Sequence, residues 1–348
     1  MADLPAWTTP GAFEVAPGVH RIPLPLPNDG LRAVNVYSVA TDDGLVLVDG
    51  GWAIPAARDA LVQALDQIGR ELADVRRFLV THVHRDHYTQ AVVLRREIGA
   101  RVALGAGERP SLEVLRVPDR PPLAHQVGHL RLLGATALAD LVAGWQGEGL
   151  DRSQWELPDE WLVEGDLTLA GGRTLSVLPT PGHTAGHVVF ADAAAGLLFA
   201  GDHVLPTITP SIGFEPVLSP DPLGDFLRSL AAVRARPDAL LLPAHGPVAP
   251  SVHARVDELV AHHDVRLEEV ERVTERGAES AYDVACQLTW TRRRHTLDAL
   301  DPFNAMLAVS ETGAHLELLV AQGRLTATND DDGVRRYRTP VPPADGPR

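Results

Sequence analysis

Three histidines and an aspartate lie within six consecutive positions, in residues 81–87 with the sequence Thr-His-Val-His-Arg-Asp-His. His82 and His84 are two residues apart, so in extended backbone their side chains point to the same side and can bind one metal ion. Asp86 and His87 follow where the chain is expected to turn into a helix, and they can reach a second point nearby. A single histidine usually has a surface or core role, and the chain has 15 of them. Four donors in one short loop nevertheless favour metal binding.

Four donors are more than one catalytic zinc ion can use, because such an ion keeps one position open for water or substrate. Two ions about 3.5–4 Å apart that share a bridging hydroxide would use all of them. The pattern therefore predicts a dinuclear metal centre.

The loop follows the apolar run at residues 78–80, which predicts a strand that ends where the metal ligands begin. Three later apolar strands are followed by glycine-flanked residues of the same chemical kind: His183, Asp202 and His245. Functional sites are commonly built from loops at one edge of a sheet scaffold. We therefore expect these three residues to join the first cluster.

A further carboxylate, Asp49, ends the predicted strand at residues 45–48 and precedes two glycines. From the pattern alone, Asp49 is either a group that supports the metal ligands or a turn residue. Predicted helices at residues 55–69 and 91–98 alternate with these strands. This alternation indicates an α/β fold.

The overall composition narrows the class of protein. A chain of 348 residues can form one large domain and a smaller one. Its formal net charge of −15 counts against the basic surface that nucleic-acid backbones require.

One cysteine, Cys286, cannot form an internal disulfide, and nothing indicates an oxidising compartment. The amino terminus lacks the features of a signal peptide, and no apolar run approaches the ~20 residues of a membrane span, so we expect a cytoplasmic protein.

The combination of motifs closely resembles that of the metallo-β-lactamase-fold hydrolases, and the motifs that carry the resemblance are residues 81–87, Gly182-His183, Gly201-Asp202 and Ala244-His245-Gly246. The resemblance covers about residues 12–250. It implies an αββα sandwich with a dinuclear metal site at one edge of its two sheets. We place this catalytic domain at residues 1–250.

The same resemblance implies a role for each ligand, with two zinc ions per chain. The first ion would be held by His82, His84 and His183, and the second by Asp86, His87 and His245. Asp202 would bridge the two ions. Asp49 matches the first-motif aspartate of the family, which favours its role as a support for the ligands.

The complete ligand set resembles the glyoxalase II, lactonase, nuclease and oxidoreductase branches of the family, whereas zinc β-lactamases often lack one of these ligands. We expect a zinc-dependent hydrolase that uses a metal-bridging hydroxide on a small ester or thioester, with lactones as an alternative. Asp86 would orient the hydroxide. Tyr88 or His203 could donate a hydrogen bond to the developing oxyanion or leaving group, although either could be purely structural. A non-catalytic binding protein is disfavoured because no ligand is missing.

Residues 251–348 are expected to form a second, helical domain. Amphipathic helices are predicted at residues 252–277, 280–290 and 301–322, followed by a hairpin with strands at residues 323–328 and 334–338. This order resembles the winged-helix tail of the branch that contains lactamase-β-like protein 2.

A winged-helix tail can bind nucleic acid, so a single-strand RNA endonuclease is the alternative function. The arginines that could serve it are Arg292, Arg293, Arg294, Arg335, Arg336 and Arg338. The acidic helices and the three aspartates in the hairpin turn count against it. We favour a tail that covers part of the cleft and supports a homodimer, with a small-molecule acyl compound as the substrate.

Overall fold

The computed structural model describes residues 6–27, 30–121, 123–145, 151–291 and 293–340. Contacts divide the chain into two compact units. The first unit comprises Met1–Pro118, Asp151–Pro210 and Arg228–Glu258, and the second comprises Asp119–Leu150, Ser211–Leu227 and Leu259–Arg348. Each unit draws on three segments of the chain, and the single domain boundary expected after residue 250 stays a prediction.

The first unit contains two β-sheets. The larger sheet has seven strands in chain order: β1 Phe13–Ala16, β2 Val19–Pro25, β3 Ala33–Thr41, β4 Gly44–Val48, β5 Val75–Val80, β6 Arg101–Gly105 and β7 Glu160–Leu162. Strands β1 to β4 are antiparallel, and β4 to β7 are parallel. Because β4 and β5 run side by side in the same direction, Asp49 and the loop that begins at Thr81 follow them at the same edge.

The second sheet has the order β12-β11-β10-β9-β8. Its strands are β8 Gly165–Thr168, β9 Thr174–Pro179, β10 Val188–Asp192, β11 Leu197–Gly201 and β12 Leu240–Pro243. Strands β11 and β12 are parallel, so the residues that follow them, Asp202 and His245, also leave the sheet at one edge. The predicted strand ends that carry site residues are therefore real strand ends.

The described helices are α1 Pro55–Gln67, α2 Arg85–Ile98, α3 Arg109–Leu115, α4 Ala124–Leu132, α5 Thr136–Ala143, α6 Pro222–Arg234, α7 Val252–Glu275, α8 Ala281–Ala285 and α9 Pro302–Ala321. The apolar faces of α1 and α2 share a core with the larger sheet, in which Leu61 and Phe78 are fully buried. A second core lies between the sheets, where the rings of Tyr37 and Phe199 meet edge to face at 5.5 Å. This mixed α/β sandwich confirms the predicted fold class.

The second unit contains helices α4, α5, α8 and α9 and an antiparallel hairpin of β13 Thr326–Asn329 and β14 Arg335–Arg338. The predicted hairpin and the predicted helix at residues 301–322 are both present, whereas the winged-helix assignment of this tail stays a prediction. In the part of the chain that the structure describes, no helix is both long enough and apolar enough to cross a bilayer. Arg292 lies outside the described residues.

The predicted helix at residues 280–290 is wrong in extent, because α8 ends at Ala285. Ser280 does begin it, as expected, by accepting a hydrogen bond from the backbone N–H of Asp283. At the other end, the indole Nε1–H of Trp290 donates to the carbonyl oxygen of Ala285 at 3.0 Å. Trp290 also pairs with His295 as an isolated β-bridge. The indole thus satisfies a helix-end carbonyl while the backbone of its own residue is extended.

Two loops near the site edge approach each other so closely that only glycine fits. A Cβ on Gly186 would lie 2.0 Å from the backbone nitrogen of Glu108, and one on Gly105 would lie 2.1 Å from the carbonyl oxygen of Gly186. In the same place, the hydroxyl of Thr184 donates to the fully buried Glu108 carboxylate, 2.5 Å away. This contact holds the loop that carries His183.

We expect Gly186→Ala to lower the free energy of unfolding by about 1–3 kcal/mol, because the added methyl group must displace backbone atoms. The measurement is urea unfolding followed by circular dichroism. Gly128→Ala is the matched control, since its Cβ would meet nothing within 4 Å inside helix α4 and alanine favours a helix by up to about 1 kcal/mol. Equal stability of the two variants would contradict the close-approach argument.

Burial raises the pKa of Glu108 from 4.5 to about 7, against the opposing hydrogen bonds from Thr184 and the backbone of Val83. The folded state therefore binds this proton more tightly than the unfolded state does. The stability that the bound proton contributes is lost as the pH rises from 4.5 to 7. We expect Glu108→Gln to remove that loss, which amounts to roughly 3 kcal/mol at most. Urea unfolding at pH 5 and pH 8 measures it, with the exposed Glu113→Gln as the control. The same pH dependence in Glu108→Gln and the parent protein would exclude Glu108 as the source.

Candidate metal centre

Three histidines that the sequence analysis grouped together converge in the first unit. His82 Nε2 lies 3.0 Å from His84 Nδ1, and His183 Nε2 lies 3.1 Å from the same His84 atom. His82 and His183 are buried, and His84 is partly buried. Three imidazole nitrogens thus face a common point at the ends of β5 and β9.

Hydrogen bonds among these three nitrogens cannot satisfy all of them. His84 Nδ1 can donate at most one hydrogen, so a proton on this atom serves only one of its two neighbours. Burial lowers the pKa of His82 well below its ordinary value and that of His84 to about 3, with the neighbouring histidines adding to the effect. The His82 and His84 imidazoles are therefore neutral near pH 7, and each has a lone pair on one ring nitrogen. A divalent metal ion accepts several such lone pairs at once, so it fits this cluster.

A second group joins the first through Asp202. His245 Nε2 lies 3.4 Å from Asp86 Oδ2 and 3.4 Å from Asp202 Oδ1. His87 Nε2 lies 3.7 Å from Asp86 Oδ2 and 3.8 Å from Asp202 Oδ1. The other oxygen of Asp202, Oδ2, lies 3.6 Å from His183 Nε2. The Asp202 carboxylate therefore spans both groups, with one oxygen directed toward each.

The outer nitrogen of each histidine in this second group has a fixed partner. Nδ1 of His245 is 2.8 Å from the carbonyl oxygen of Ala33, which can only accept, so Nδ1 carries the hydrogen. Nδ1 of His87 is 2.9 Å from Asp49 Oδ2. The inner Nε2 atoms of both residues and Asp202 Oδ1 are buried without a hydrogen-bond partner among the described residues. Each of these inner nitrogens faces carboxylate oxygens in a buried site, where a proton or a metal ion must lie between them, so a metal ion fits here too.

Charge in this group is balanced by protons when no metal ion is bound. Burial lowers the pKa of His87, but the carboxylates of Asp49, Asp86 and Asp202 more than reverse this effect and raise the pKa to about 10. The pKa of His245 is likewise raised by the carboxylates against the effect of burial. A metal ion that binds here must displace these protons, as is usual for histidine ligands.

Asp49 orients a histidine in each of the two groups through hydrogen bonds. Its carboxylate accepts hydrogen bonds from the Thr81 backbone N–H at 2.8 Å and from the Thr81 hydroxyl at 2.9 Å. Since the Thr81 hydroxyl donates to Asp49, its oxygen is an acceptor for His82 Nδ1, 3.0 Å away. Asp49 therefore orients His82 through Thr81 and His87 directly, in the position that the sequence analysis favoured for it.

Other residues, which the sequence patterns did not indicate, also position the site. Asn35 is fully buried in β3, and its amide donates to the carbonyl oxygens of Pro243 and Gly246 at 3.0 and 2.9 Å. These bonds hold the loop that contains His245. A polar residue in an otherwise apolar strand is the signal that would have pointed to it.

His187 holds the loop that contains Asp202. Its Nδ1 lies 2.8 Å from the hydroxyl of Thr180, and its Nε2 accepts a hydrogen bond from the backbone N–H of Asp202 at 3.2 Å. Gly201 is required beside it, because its φ is +50° and a Cβ there would lie 2.7 Å from His187 Nε2. His187 follows the Gly182-His183 motif by four residues, and the sequence patterns assigned it no role.

The two expected hydrogen-bond donors occupy buried positions. Tyr88 lies in the core beneath the larger sheet, and its hydroxyl donates to the carbonyl oxygen of Glu156. These contacts give Tyr88 a structural role and do not support its use as a donor to substrate. His203 is fully buried, and its ring centre lies 6.0 Å from that of His187. Burial lowers the pKa of His203 to about 3, so it is neutral near pH 7.

Known proteins resemble this chain along most of its length. Residues 29–245 match the family model of the metallo-beta-lactamase superfamily, and residues 267–340 match that of the metallo-beta-lactamase-like C-terminal domain. A probable metallo-hydrolase from Bacillus subtilis, YqjP, is 26% identical over 88% of this chain and 93% of its own length. The beta-lactamase-like protein 2 homolog of Caenorhabditis elegans is 31% identical over 74% of this chain and 71% of its own length.

A crystal structure of a beta-lactamase domain protein from Burkholderia ambifaria has the same architecture. It aligns with a TM-score of 0.79 and 30% sequence identity over 97% of this chain and 96% of that chain. The resemblance inferred from the motifs is therefore confirmed. The chain belongs to the metallo-beta-lactamase superfamily of metallo-hydrolases and carries that superfamily's C-terminal domain.

Proposed function

We propose that the protein is a dinuclear zinc-dependent hydrolase of small esters or thioesters. The observation that carries the proposal is the Asp202 carboxylate, whose two oxygens are directed toward two separate groups of buried histidines. That arrangement suits two ions held close together. The first ion would be held by His82, His84 and His183, and the second by Asp86, His87 and His245, with Asp202 shared.

The chemistry that two bound ions supply is activation of water near neutral pH and polarisation of the bond under attack. The chain's own residues orient the reactants. Asp86 is the least buried of the acidic ligands, with a side-chain exposure of 15%, so its carboxylate can also accept a hydrogen from the attacking water. Hydrogen bonds at Nδ1 orient two of the histidines: His82 bonds to Thr81, and His245 bonds to the carbonyl oxygen of Ala33. These bonds keep the Nε2 atoms of both residues in place.

The charges of the tail favour a small acyl substrate over RNA. Three of the arginines that could serve RNA binding pair with carboxylates of the second unit: Arg335 with Glu317 at 2.9 Å, Arg336 with Asp330 at 2.8 Å and Arg338 with Glu279 at 2.9 Å. An RNA backbone would have to compete with these carboxylates. We extend the proposal to a cytoplasmic protein whose tail supports a homodimer.

Hydrolysis should depend on Asp86. We expect zinc-loaded protein to release thiol from members of a panel of short acyl-thioesters, and Asp86→Ala to lower kcat by about 10²–10⁴-fold because the attacking water loses its orienting group. Thiol release is followed with a chromogenic disulfide. Asp59→Ala, on the exposed face of α1, is the matched control.

His183→Ala should abolish turnover in the same assay with the far-UV circular dichroism unchanged. Near-normal turnover in either the Asp86 or the His183 variant would exclude this centre as the site of hydrolysis. If the parent protein releases no thiol, the same preparations are tested on lactones, oxygen esters and single-stranded RNA. Cleavage of RNA alone would replace the proposal with the endonuclease alternative.

Asp49 should control metal affinity without touching the metal. We expect Asp49→Asn to weaken zinc binding by about 10–100-fold, since an amide N–H would face Nδ1–H of His87 and one acceptor oxygen is lost. Competition with a chromophoric chelator measures the affinity. Asp192→Asn is the control, because Asp192 is equally buried but pairs with Arg173 instead. Equal zinc affinity in both variants would contradict the role assigned to Asp49.

A further inference from the structure

A second cluster of metal-binding side chains lies in the second unit and has no part in the proposed hydrolysis. His262 and His263 belong to α7, and Glu311 and His315 belong to α9. One ligand atom from each of His262, His263 and Glu311 lies within 4.8 Å of the others. Two imidazoles and a carboxylate form one of the common donor sets for zinc.

Hydrogen bonds determine which nitrogen of His263 carries its hydrogen. His315 Nδ1 lies 2.8 Å from the backbone carbonyl oxygen of Glu311, so Nδ1 must donate and His315 Nε2 is left as an acceptor. His263 Nδ1 lies 3.1 Å from that Nε2 and therefore carries a hydrogen. Neutral His263 then has a bare lone pair on Nε2.

The environment keeps both imidazoles neutral. His263 and His315 are fully buried, and the ring of Phe226 lies 5.5 Å from that of His263. Burial lowers the pKa of His315 to about 3 and that of His263 further still. The chain of hydrogen bonds from His263 through His315 to a backbone carbonyl is the arrangement that commonly orients a metal-binding histidine.

The Nε2 atom of His263 is buried and has no hydrogen-bond partner in the part of the chain that the structure describes. A buried lone pair without a donor is costly. With Nδ1 already bonded to His315, Nε2 is the His263 atom left for a ligand shared with His262 and Glu311. His262 is exposed, so an ion can reach this point from solvent.

The charge of Arg266 acts on the Glu311 carboxyl group, but the guanidinium of Arg266 has other partners. Arg266 pairs with Glu269 at 3.0 Å, donates to the carbonyl oxygen of Thr289 at 3.0 Å and lies over the ring of Trp290 at 4.7 Å. Burial raises the pKa of Glu311 to about 7, although Arg266 opposes the shift. A cation between the imidazoles and this carboxyl group would favour its ionised form.

We propose that His262, His263 and Glu311 bind a divalent transition-metal ion of the zinc type, separate from the proposed hydrolytic centre. His315 positions His263 and does not touch the ion. The three ligands come from two helices that are distant in sequence, so the ion links α7 to α9 within the second unit. Its role is structural, because metal binding that joins two elements stabilises the folded state.

The experiment uses the full chain in a His84→Ala/His87→Ala background, which removes one ligand from each position of the proposed hydrolytic centre. Metal-free protein is titrated with Zn²⁺ against a chromophoric chelator, and bound zinc is counted by mass spectrometry. We expect one tightly bound zinc ion per chain. Adding Glu311→Gln or His262→Ala should weaken its binding at least 10-fold, and Glu268→Gln, at an exposed position on α7, should not.

Thermal unfolding gives a second readout that is independent of activity. Zn²⁺ should raise the Tm of the background variant and of its Glu268→Gln form, but not that of its Glu311→Gln form. Circular dichroism of the metal-free proteins shows whether each variant is folded. The proposal is overturned if the background variant binds no zinc, or if Glu311→Gln and His262→Ala leave both zinc affinity and the Tm shift unchanged. Thioester hydrolysis by the parent protein is unaffected by that result, so the two proposals fail separately.

Discussion

The buried carboxylate of Asp49 is the interaction on which the candidate centre depends. It accepts hydrogen bonds from Thr81 and His87, and through Thr81 it also orients His82. A buried anion is costly unless several donors satisfy it, and here the donors belong to residues 81–87, the candidate metal-binding loop. Asp49 has a φ of +63°, a conformation that non-glycine residues seldom adopt, so the surrounding contacts hold a strained backbone in place.

The turn after Asp49 is fastened to helix α2 by close backbone contact. The backbone N–H of Gly50 donates to the carbonyl oxygen of His87 at 2.8 Å, and a Cβ on Gly50 would lie 2.7 Å from Ala91. The same helix begins directly after His84 and carries Asp86 and His87 in its first turn. The ligand geometry therefore depends on how tightly the strand end, the turn and the helix pack together.

The remaining ligands reach the centre from the second sheet, and their loops are held by polar groups buried between elements. Asn35 and Tyr37 of β3 both donate to the carbonyl oxygen of Pro243 near His245, and His187 accepts from the backbone of Asp202. The bonds from Asn35 and Tyr37 join segments of the two sheets that are 208 and 206 residues apart, so the centre forms only when both sheets have assembled. In the second unit, Arg335 and Arg338 of the hairpin are instead paired with Glu317 and Glu279.

The sequence by itself determined the types and order of the candidate ligands and the strand ends that carry them, because strand periodicity and clustered histidines are local properties of the chain. It also indicated the family, the α/β sandwich and the hairpin of the tail. It could not show that Tyr88 turns its hydroxyl to Glu156, that α8 stops at Ala285 under the indole of Trp290, or that Asn35 holds the His245 loop. Those outcomes depend on which buried polar groups form hydrogen bonds with each other, and most of these groups are distant in sequence. Only the tertiary structure brings such groups within hydrogen-bonding distance, and so only it decides which side chains face the metal site and which support it.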